Sequence, residues 1–262
     1  MLVALTRAVP PSIDRCELTH LDRAPIDYAR AVEQHAAYEE ALRRAGCDVR
    51  RLPEAPDSPD SVFVEDTAVV FDRVAVIARP GAESRRREVE AMVEALSPHR
   101  PLRFIDAPGT LDGGDVLVTP GRVFVGISGR TNSEGARQLA GHVAPFGFEV
   151  IPVPVHGCLH LKSAVSLLPA TAGNTPEILV NPAWVDRTLF DGFEVIEIDP
   201  DEPAAANVLP VSGCVICAEE YPRTRARLEA SGFATLPVPA GELAKAEGGV
   251  TCCSVLVRDS SL

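Results

Sequence analysis

Residues 147–154 read GFEVIPVP, and the same pattern returns along the chain. GCDVRRLP begins at Gly46, GFEVIEI at Gly192 and GFATLPVP at Gly232, with a weaker copy, RPLRFIDAP, over 100–108. The copies stand roughly 40–55 residues apart, a period at which a solenoid or a propeller has to be considered. Each copy alternates like a strand, and its leading glycine suits the left-handed position that ends a helix.

The neighbours of each copy repeat as well. Before it comes a helix-like segment: Tyr28–Ala45, Ser84–Leu96, Asn132–Ala144, a short AWVDRTLF over 183–190, and Tyr221–Ala230. In the first of these, Ala29, Val32, Ala36, Ala41 and Leu42 approximate one helical face. After it come two short apolar runs separated by a turn, as in FVEDTAVVFDRVAVIARPG (63–81) and GGDVLVTPGRVFVGIS (113–128), where FDR and TPGR are the turns.

The unit is therefore helix, strand, hairpin, written five times. A helix in every repeat excludes the all-β blades of WD-type propellers. Five such units closing into a ring give an α/β propeller of five blades with pseudo-fivefold symmetry. VALTR (3–7) and SVLVR (254–258) are placed to pair and close it, which removes exposed sheet edges. No linker or low-complexity segment divides the chain, so residues 1–262 are expected to form a single catalytic domain.

Composition narrows the function. The net charge of −12 argues against nucleic acid, whose phosphates call for basic patches. No apolar run reaches the length of a membrane span, and MLVALTRAVPPS, without a basic leader, reads as a first strand rather than a signal peptide. Seven cysteines at irregular spacing suggest free thiols in a reducing compartment, hence a cytoplasmic protein. A monomer and a homodimer are both compatible with the fold.

Chemistry-bearing residues fall in five places. In PDSPDSVFVEDTAVV (56–70), Asp60, Glu65 and Asp66 read either as solvated charge at a strand end or as a carboxylate cluster for a guanidinium. Adjacent residues of a regular strand face opposite ways, so Glu65 and Asp66 share a pocket only if a turn or bulge intervenes. In GTLDGGDVL (109–117), Asp112 and Asp115 flank two glycines that bring the backbone close to something; too few ligands stand nearby for a metal. His156 and His160 are four apart in VHGCLHLKSAV (155–165), but Gly157 and the alternation of Leu159 and Leu161 argue for a strand rather than the helix a zinc pair requires. Cys214 and Cys217 in SGCVICAEE (212–220) face opposite sides of a strand and read as core.

The fifth place is GGVTCCSVLV (248–257). If this is a strand, Cys252 and Cys253 face opposite sides, one into the core and one into a site. The face shared with Ser254 narrowly favours Cys252 as a nucleophile; periodicity alone leaves the choice open.

Taken in order, VFVEDTAVV, RPGAESRR, TLDGGDVL, SGRTN, LHLKS and TCCSVL resemble the pentein, or guanidine-modifying, superfamily, and within it the dimethylarginine dimethylaminohydrolase family. The resemblance spans nearly the whole chain. It implies a catalytic trio of Cys252 as nucleophile, His160 as acid and base, and Asp112 orienting the histidine. It also implies that Asp60, Glu65 and Asp66 bind the substrate, with Phe63 lining the pocket. Arg85 and Arg130 would hold the amino acid's carboxylate. Leu18 would stand in a lid loop near the substrate, and Ala246, before the nucleophile, would offer a backbone contact. The implied reaction converts Nω-methylated arginine to citrulline and methylamine or dimethylamine through a thiouronium intermediate, with no metal or organic cofactor and a small-molecule substrate as partner. Arginine deiminase chemistry on arginine or another guanidino compound is the alternative, and a non-enzymatic thiol sensor a more distant one.

Overall fold

Cys47–Arg51, the strand of the first GCDVRRLP repeat, lies parallel to Leu2–Thr6, which in turn pairs antiparallel with Val255–Arg258. In this computed structural model, which describes residues 1–169 and 175–259, the same three-stranded pattern occurs five times. Ala68–Val70 pairs antiparallel with Ala75–Ile77, which runs parallel to Leu102–Phe104. The third sheet joins Val116–Thr119, Arg122–Ile127 and Glu149–Pro154 in the same way. Val165–Leu167, Glu177–Val180 and Glu194–Glu197 make the fourth. Leu209–Val211, Cys214–Ala218 and Ala234–Val238 make the fifth. Each sheet is an antiparallel pair plus a parallel third strand reached by a crossover, so the fold is a five-bladed α/β propeller. Its closing blade is assembled from both ends of the sequence, with Val3 opposite Val257 and Leu5 opposite Val255.

The repeated glycine explains why four of the five crossovers turn into their strands at the same place. Gly46, Gly147, Gly192 and Gly232 all have φ between 85° and 91°, a conformation that costs other residues roughly 1–2 kcal/mol. The crossovers are the helices Tyr28–Arg44, Val89–Leu96, Ser133–Val143 and Pro222–Ala230. AWVDRTLF departs from the expected helix: it yields one 3-10 turn, Arg187–Phe190, started by Asp186 accepting from the Thr188 N–H. Pro182 before it and a span of two turns leave too few residues to propagate an α-helix.

Helix Tyr28–Arg44 corrects a second expectation. Ala29, Val32 and Ala36 face solvent, and the buried stripe is Ala31, Gln34, His35, Tyr38, Glu39, Ala41 and Leu42. Polar residues can occupy this stripe because partners await them. Glu39 accepts from Thr6 and from Arg51 at 2.8 Å, and the Gln34 side-chain oxygen accepts from the Glu242 N–H at 2.8 Å.

Neighbouring blades share their cores. Val69 and Val76 of one sheet meet Val123 and Val125 of the next, with Leu139 and Val143 of helix Ser133–Val143 closing over them. Each fully buried aliphatic side chain of this size contributes about 1.5–3 kcal/mol. The strands thereby hold fixed the turns at their inner ends, where the chemistry-bearing residues lie. No helix among the described residues is long and apolar enough to cross a membrane.

Candidate active site

The glycines of LDGGD are set by close approach. A Cβ on Gly113 would stand 2.1 Å from the Glu65 carbonyl oxygen, and one on Gly114 would stand 2.6 Å from His160 Nδ1 and 2.8 Å from Asp66 Oδ1. With only hydrogens there, the 3-10 turn Gly113–Asp115 brings three distant segments together. The Gly114 N–H donates to Asp66 Oδ1 at 3.0 Å. Asp112 Oδ1 accepts from the Gly81 N–H at 2.8 Å, and its Oδ2 lies 3.1 Å from His160 Nε2.

His160 does not lie on a strand, as its alternation with Leu159 and Leu161 suggests, but caps the short helix Leu161–Ala164. Asp115 causes this: its Oδ1 accepts from the Leu161 N–H at 2.9 Å and its Oδ2 from the Ser128 hydroxyl at 2.6 Å. The imidazole is thus held from behind by Asp112, while its Nδ1 stands 3.7 Å from Asp66. Burial alone would lower the histidine's pKa, but Asp66, the hydrogen bond to Asp112 and the charge of Asp115 outweigh it and push it up to about 9. His160 rests as an imidazolium. Asp66 is buried too, yet His160 and Arg85 hold it down at about 2.

Glu65 and Asp66 sit on a 3-10 turn, Val64–Thr67, rather than a regular strand, so strand alternation does not divide them. Their partners do. Asp66 faces His160 and takes Arg85 Nη1 at 2.6 Å. Glu65 takes Lys162 Nζ at 2.5 Å and the Thr251 hydroxyl at 2.7 Å, and lines a separate cavity of about 270 Å³ along the middle of the ring. The carboxylate cluster read from the sequence is therefore split between two spaces.

The twin cysteines also correct the reading. Thr251–Cys253 is a 3-10 turn, and the strand begins only at Val255, so period-2 alternation does not apply to the pair. Cys252 Sγ accepts from the Gly249 N–H at 3.4 Å and lines the same small cavity as His160 and Asp66. Cys253 is 1% exposed and packs in the core. Burial first, then the charges of Glu65 and Asp66, push the Cys252 thiol up to about 12. Gly248 and Gly249 admit the turn: a Cβ on the first would lie 2.2 Å from the Phe63 ring, and on the second 2.4 Å from Asn207 Oδ1.

Asp60, Phe63, Arg85, Arg130 and Ala246 border this cavity as well. Arg85 is heavily engaged: Glu88 takes its Nε and Nη2, Asp66 its Nη1, and the Asp60 and Phe63 carbonyls its Nη2. Among the described residues the Arg130 guanidinium makes one hydrogen bond, 3.3 Å from its Nη2 to the Thr19 hydroxyl. Burial raises Asp60 to about 6 despite Arg85; its carboxylate accepts from the Glu17 N–H at 3.2 Å. Leu18 lies on the loop above, half-buried, away from the cavity wall. The space between these groups is about 10 Å³, room for a single water.

Four contributors escaped the sequence reading. Asp115 was visible beside the glycine pair, though not its role. Asn207, a lone amide in AAANVLP, ties the turn of Cys252 to the helix that follows His160: its Nδ2 donates to the Lys162 carbonyl and to Thr251 Oγ1, and its Oδ1 accepts from the Thr251 N–H, all at 3.0 Å. Lys162 was overlooked inside LHLKS, and Glu247 beside the glycines. Asp66, Asp112 and His160 offer ligand atoms within 4.8 Å of one another. Arg85 already occupies Asp66, and Gly81 and His160 occupy Asp112, an arrangement suited to holding a protonated histidine.

The family model described as N,N dimethylarginine dimethylhydrolase, eukaryotic, matches residues 19–166. The N(G),N(G)-dimethylarginine dimethylaminohydrolase of Streptomyces coelicolor is 41% identical, over 98% of this chain and 97% of its own. A Pseudomonas aeruginosa dimethylarginine dimethylaminohydrolase, solved as a cysteine-to-serine mutant complexed with citrulline, superposes with a TM-score of 0.89 at 36% identity, covering 97% of this chain and 98% of that one. A histidine-to-glycine dimethylarginine dimethylaminohydrolase, solved as an adduct with S-methyl-L-thiocitrulline, gives 0.88 at 36% identity, covering 98% and 100%.

Proposed function

This chain belongs to the dimethylarginine dimethylaminohydrolase family, and from that premise we propose that it hydrolyses Nω-methylated arginines to citrulline and methylamine or dimethylamine. The observation that carries the reading is the convergence of Cys252, His160 and Asp66 on one closed cavity, with Asp112 behind the histidine.

The resting site holds a thiol and an imidazolium. A guanidinium stays protonated at any ordinary pH. Brought to about 4 Å from Sγ, its charge is worth about 4 kcal/mol at an effective dielectric of ~20, or about three pKa units. Substrate binding therefore favours release of the thiol proton to solvent, leaving the thiolate that attacks the substrate. Sγ adds to the guanidinium carbon, and the His160 imidazolium gives its proton to the departing amine as the C–N bond breaks. The carbon is left as an S-alkyl thiouronium on Cys252. His160, now neutral, takes a proton from water as its oxygen adds to that carbon. Loss of the sulfur yields citrulline and regenerates Cys252 and the imidazolium. Asp112 keeps the ring oriented throughout, and Asp66 offers a carboxylate to the guanidinium.

At the other end of the substrate, Asp60 receives the α-amino group and Arg130 the α-carboxylate, with Arg85 supporting both through the Asp60 carbonyl and its own charge. Leu18 and Ala246 contribute backbone carbonyls, and Phe63 forms the wall. Glu65 acts from the ring's middle through Lys162. We place the enzyme in the cytoplasm, where its seven unpaired thiols stay reduced, as one catalytic unit in a monomer or homodimer.

Citrulline release from asymmetric dimethylarginine, monomethylarginine and arginine, compared side by side, tests this. Turnover of the methylated substrates with little from arginine is expected; a preference for arginine would move the assignment to deiminase chemistry.

A further inference from the structure

Among the described residues only Ser212 and Glu247 have positive φ without being glycine. Ser212 precedes Gly213 in a hairpin turn, where the conformation is ordinary. Glu247, at φ 57°, takes the left-handed position that ends the short helix Gly241–Ala244, with the Gly248 N–H returning to the Leu243 carbonyl at 3.1 Å. It stands between Ala246 and Gly248, at a position where glycine would be easier by about 1 kcal/mol. A glutamate held there against its backbone preference points to a use for its carboxylate.

That carboxylate is collected by three consecutive backbone N–H groups. Thr19 donates to both oxygens at 3.0 and 3.1 Å, Leu21 to Oε1 at 2.7 Å, and His20 to the same Oε1. Successive N–H groups converging on one anion form a nest. Glu247 belongs to the turn that leads to Cys252; Thr19–Leu21 belong to the loop that lies over the site. One side chain thus joins the two segments between which the substrate must pass. The loop's other ties lie mainly at its edges, from the Glu17 N–H to Asp60 and from Lys245 to the Pro25 carbonyl. Its centre is held by Glu247 and by the single 3.3 Å contact from Arg130 to Thr19.

The cavity beneath is about 10 Å³, far below the roughly 300 Å³ where ordinary ligand pockets begin. An arginine derivative enters only when the loop moves. We propose that Glu247 is a positioning residue that latches residues 19–21 over the active site. Admission of substrate then requires three N–H groups to leave its carboxylate, and their return closes the loop over the bound amino acid. The inference rests on the hydrolase reading for what passes under the loop.

Glu247→Gly removes the latch while suiting the backbone, and Glu247→Gln keeps the one oxygen that gathers all three N–H groups. Hydrogen exchange at Thr19, His20 and Leu21 should quicken about tenfold or more in Glu247→Gly, less in Glu247→Gln, with helix Tyr28–Arg44 unchanged. In citrulline assays Glu247→Gly should raise KM about tenfold with kcat altered less than threefold, and Glu247→Gln should recover part of the loss. Unchanged exchange in Glu247→Gly overturns the latch. A kcat that falls as far as kcat/KM also overturns it, since the carboxylate would then be acting on the reacting group. A native protein that makes no citrulline from methylated arginine, while the exchange shift persists, upholds the latch and overturns only the substrate reading.

Discussion

His160 Nε2 lies 3.1 Å from Asp112 Oδ2, and that carboxylate is itself fixed by the Gly81 N–H. The ring is thereby committed: one nitrogen faces Asp112, and only Nδ1 is turned toward the cavity where Cys252 and Asp66 lie. Removal of this anchor should act on proton transfer more than on folding. Asp112→Asn keeps an acceptor but loses the charge that helps raise His160. The alkaline limb of kcat/KM, expected near pH 9 in the native protein, should move down by about one unit and kcat should fall about tenfold or more. An unmoved limb would place the control of His160 elsewhere.

The two reacting groups should be indispensable. Cys252→Ser and His160→Ala are each expected to lower citrulline formation by about a thousandfold or more. Cys253→Ala, a change confined to the core, should retain turnover and lose stability instead. Substantial activity in Cys252→Ser would sink the covalent mechanism.

The thiol of the unliganded site should be sluggish. With Cys252 pushed up to about 12, inactivation by the neutral alkylating agent iodoacetamide should still be accelerating at pH 10. The acid limb of kcat, which titrates the substrate complex, should lie up to about three pH units lower, because a guanidinium beside the sulfur favours thiolate. Coincident midpoints would mean that substrate does not assist the deprotonation.

Stability should depend on His160 in a definite pH window. Its folded pKa of about 9 stands above the ordinary 6.5, so its contribution is complete below pH 6.5 and is lost as pH rises through 9. Asp66, held at about 2, contributes above pH 4 and loses that contribution only in strong acid. Urea midpoints of the native protein and His160→Gln should accordingly converge between pH 6.5 and 9.5. A gap that stays constant over that range would refute the ion-pair account.

Lys162 and Glu65 should behave as a unit. Lys162→Met leaves a buried carboxylate with one hydroxyl partner and is expected to cost about 3 kcal/mol, whereas adding Glu65→Gln should recover much of it. A denaturant double-mutant cycle measures the coupling; strict additivity would show that the 2.5 Å contact has no energetic consequence.

The glycines and alternating strands made the architecture legible, because one backbone requirement recurs at Gly46, Gly147, Gly192 and Gly232 and each precedes the same kind of strand. The order of motifs then singled out Cys252 and His160, which the fold brings to one cavity. Local periodicity misled wherever side chains from elsewhere set the backbone. Asp115 turns Leu159–Leu161 into a helix entry, and Asn207 shapes Thr251–Cys253 into a turn. Helix Tyr28–Arg44 hides Glu39 and Gln34 because Arg51, Thr6 and the Glu242 N–H wait for them. Such partners lie tens or hundreds of residues away, and a window of neighbouring residues contains no trace of them.

Val255–Arg258 pairs with Leu2–Thr6 only two residues after the nucleophile's turn ends. Along the chain Cys252 also follows every other residue placed in the active site. The sulfur is therefore carried by the very segment that stitches the last blade to the first. Its place beside His160 and Asp66 depends on that closure, so one short stretch of chain both completes the ring and completes the site.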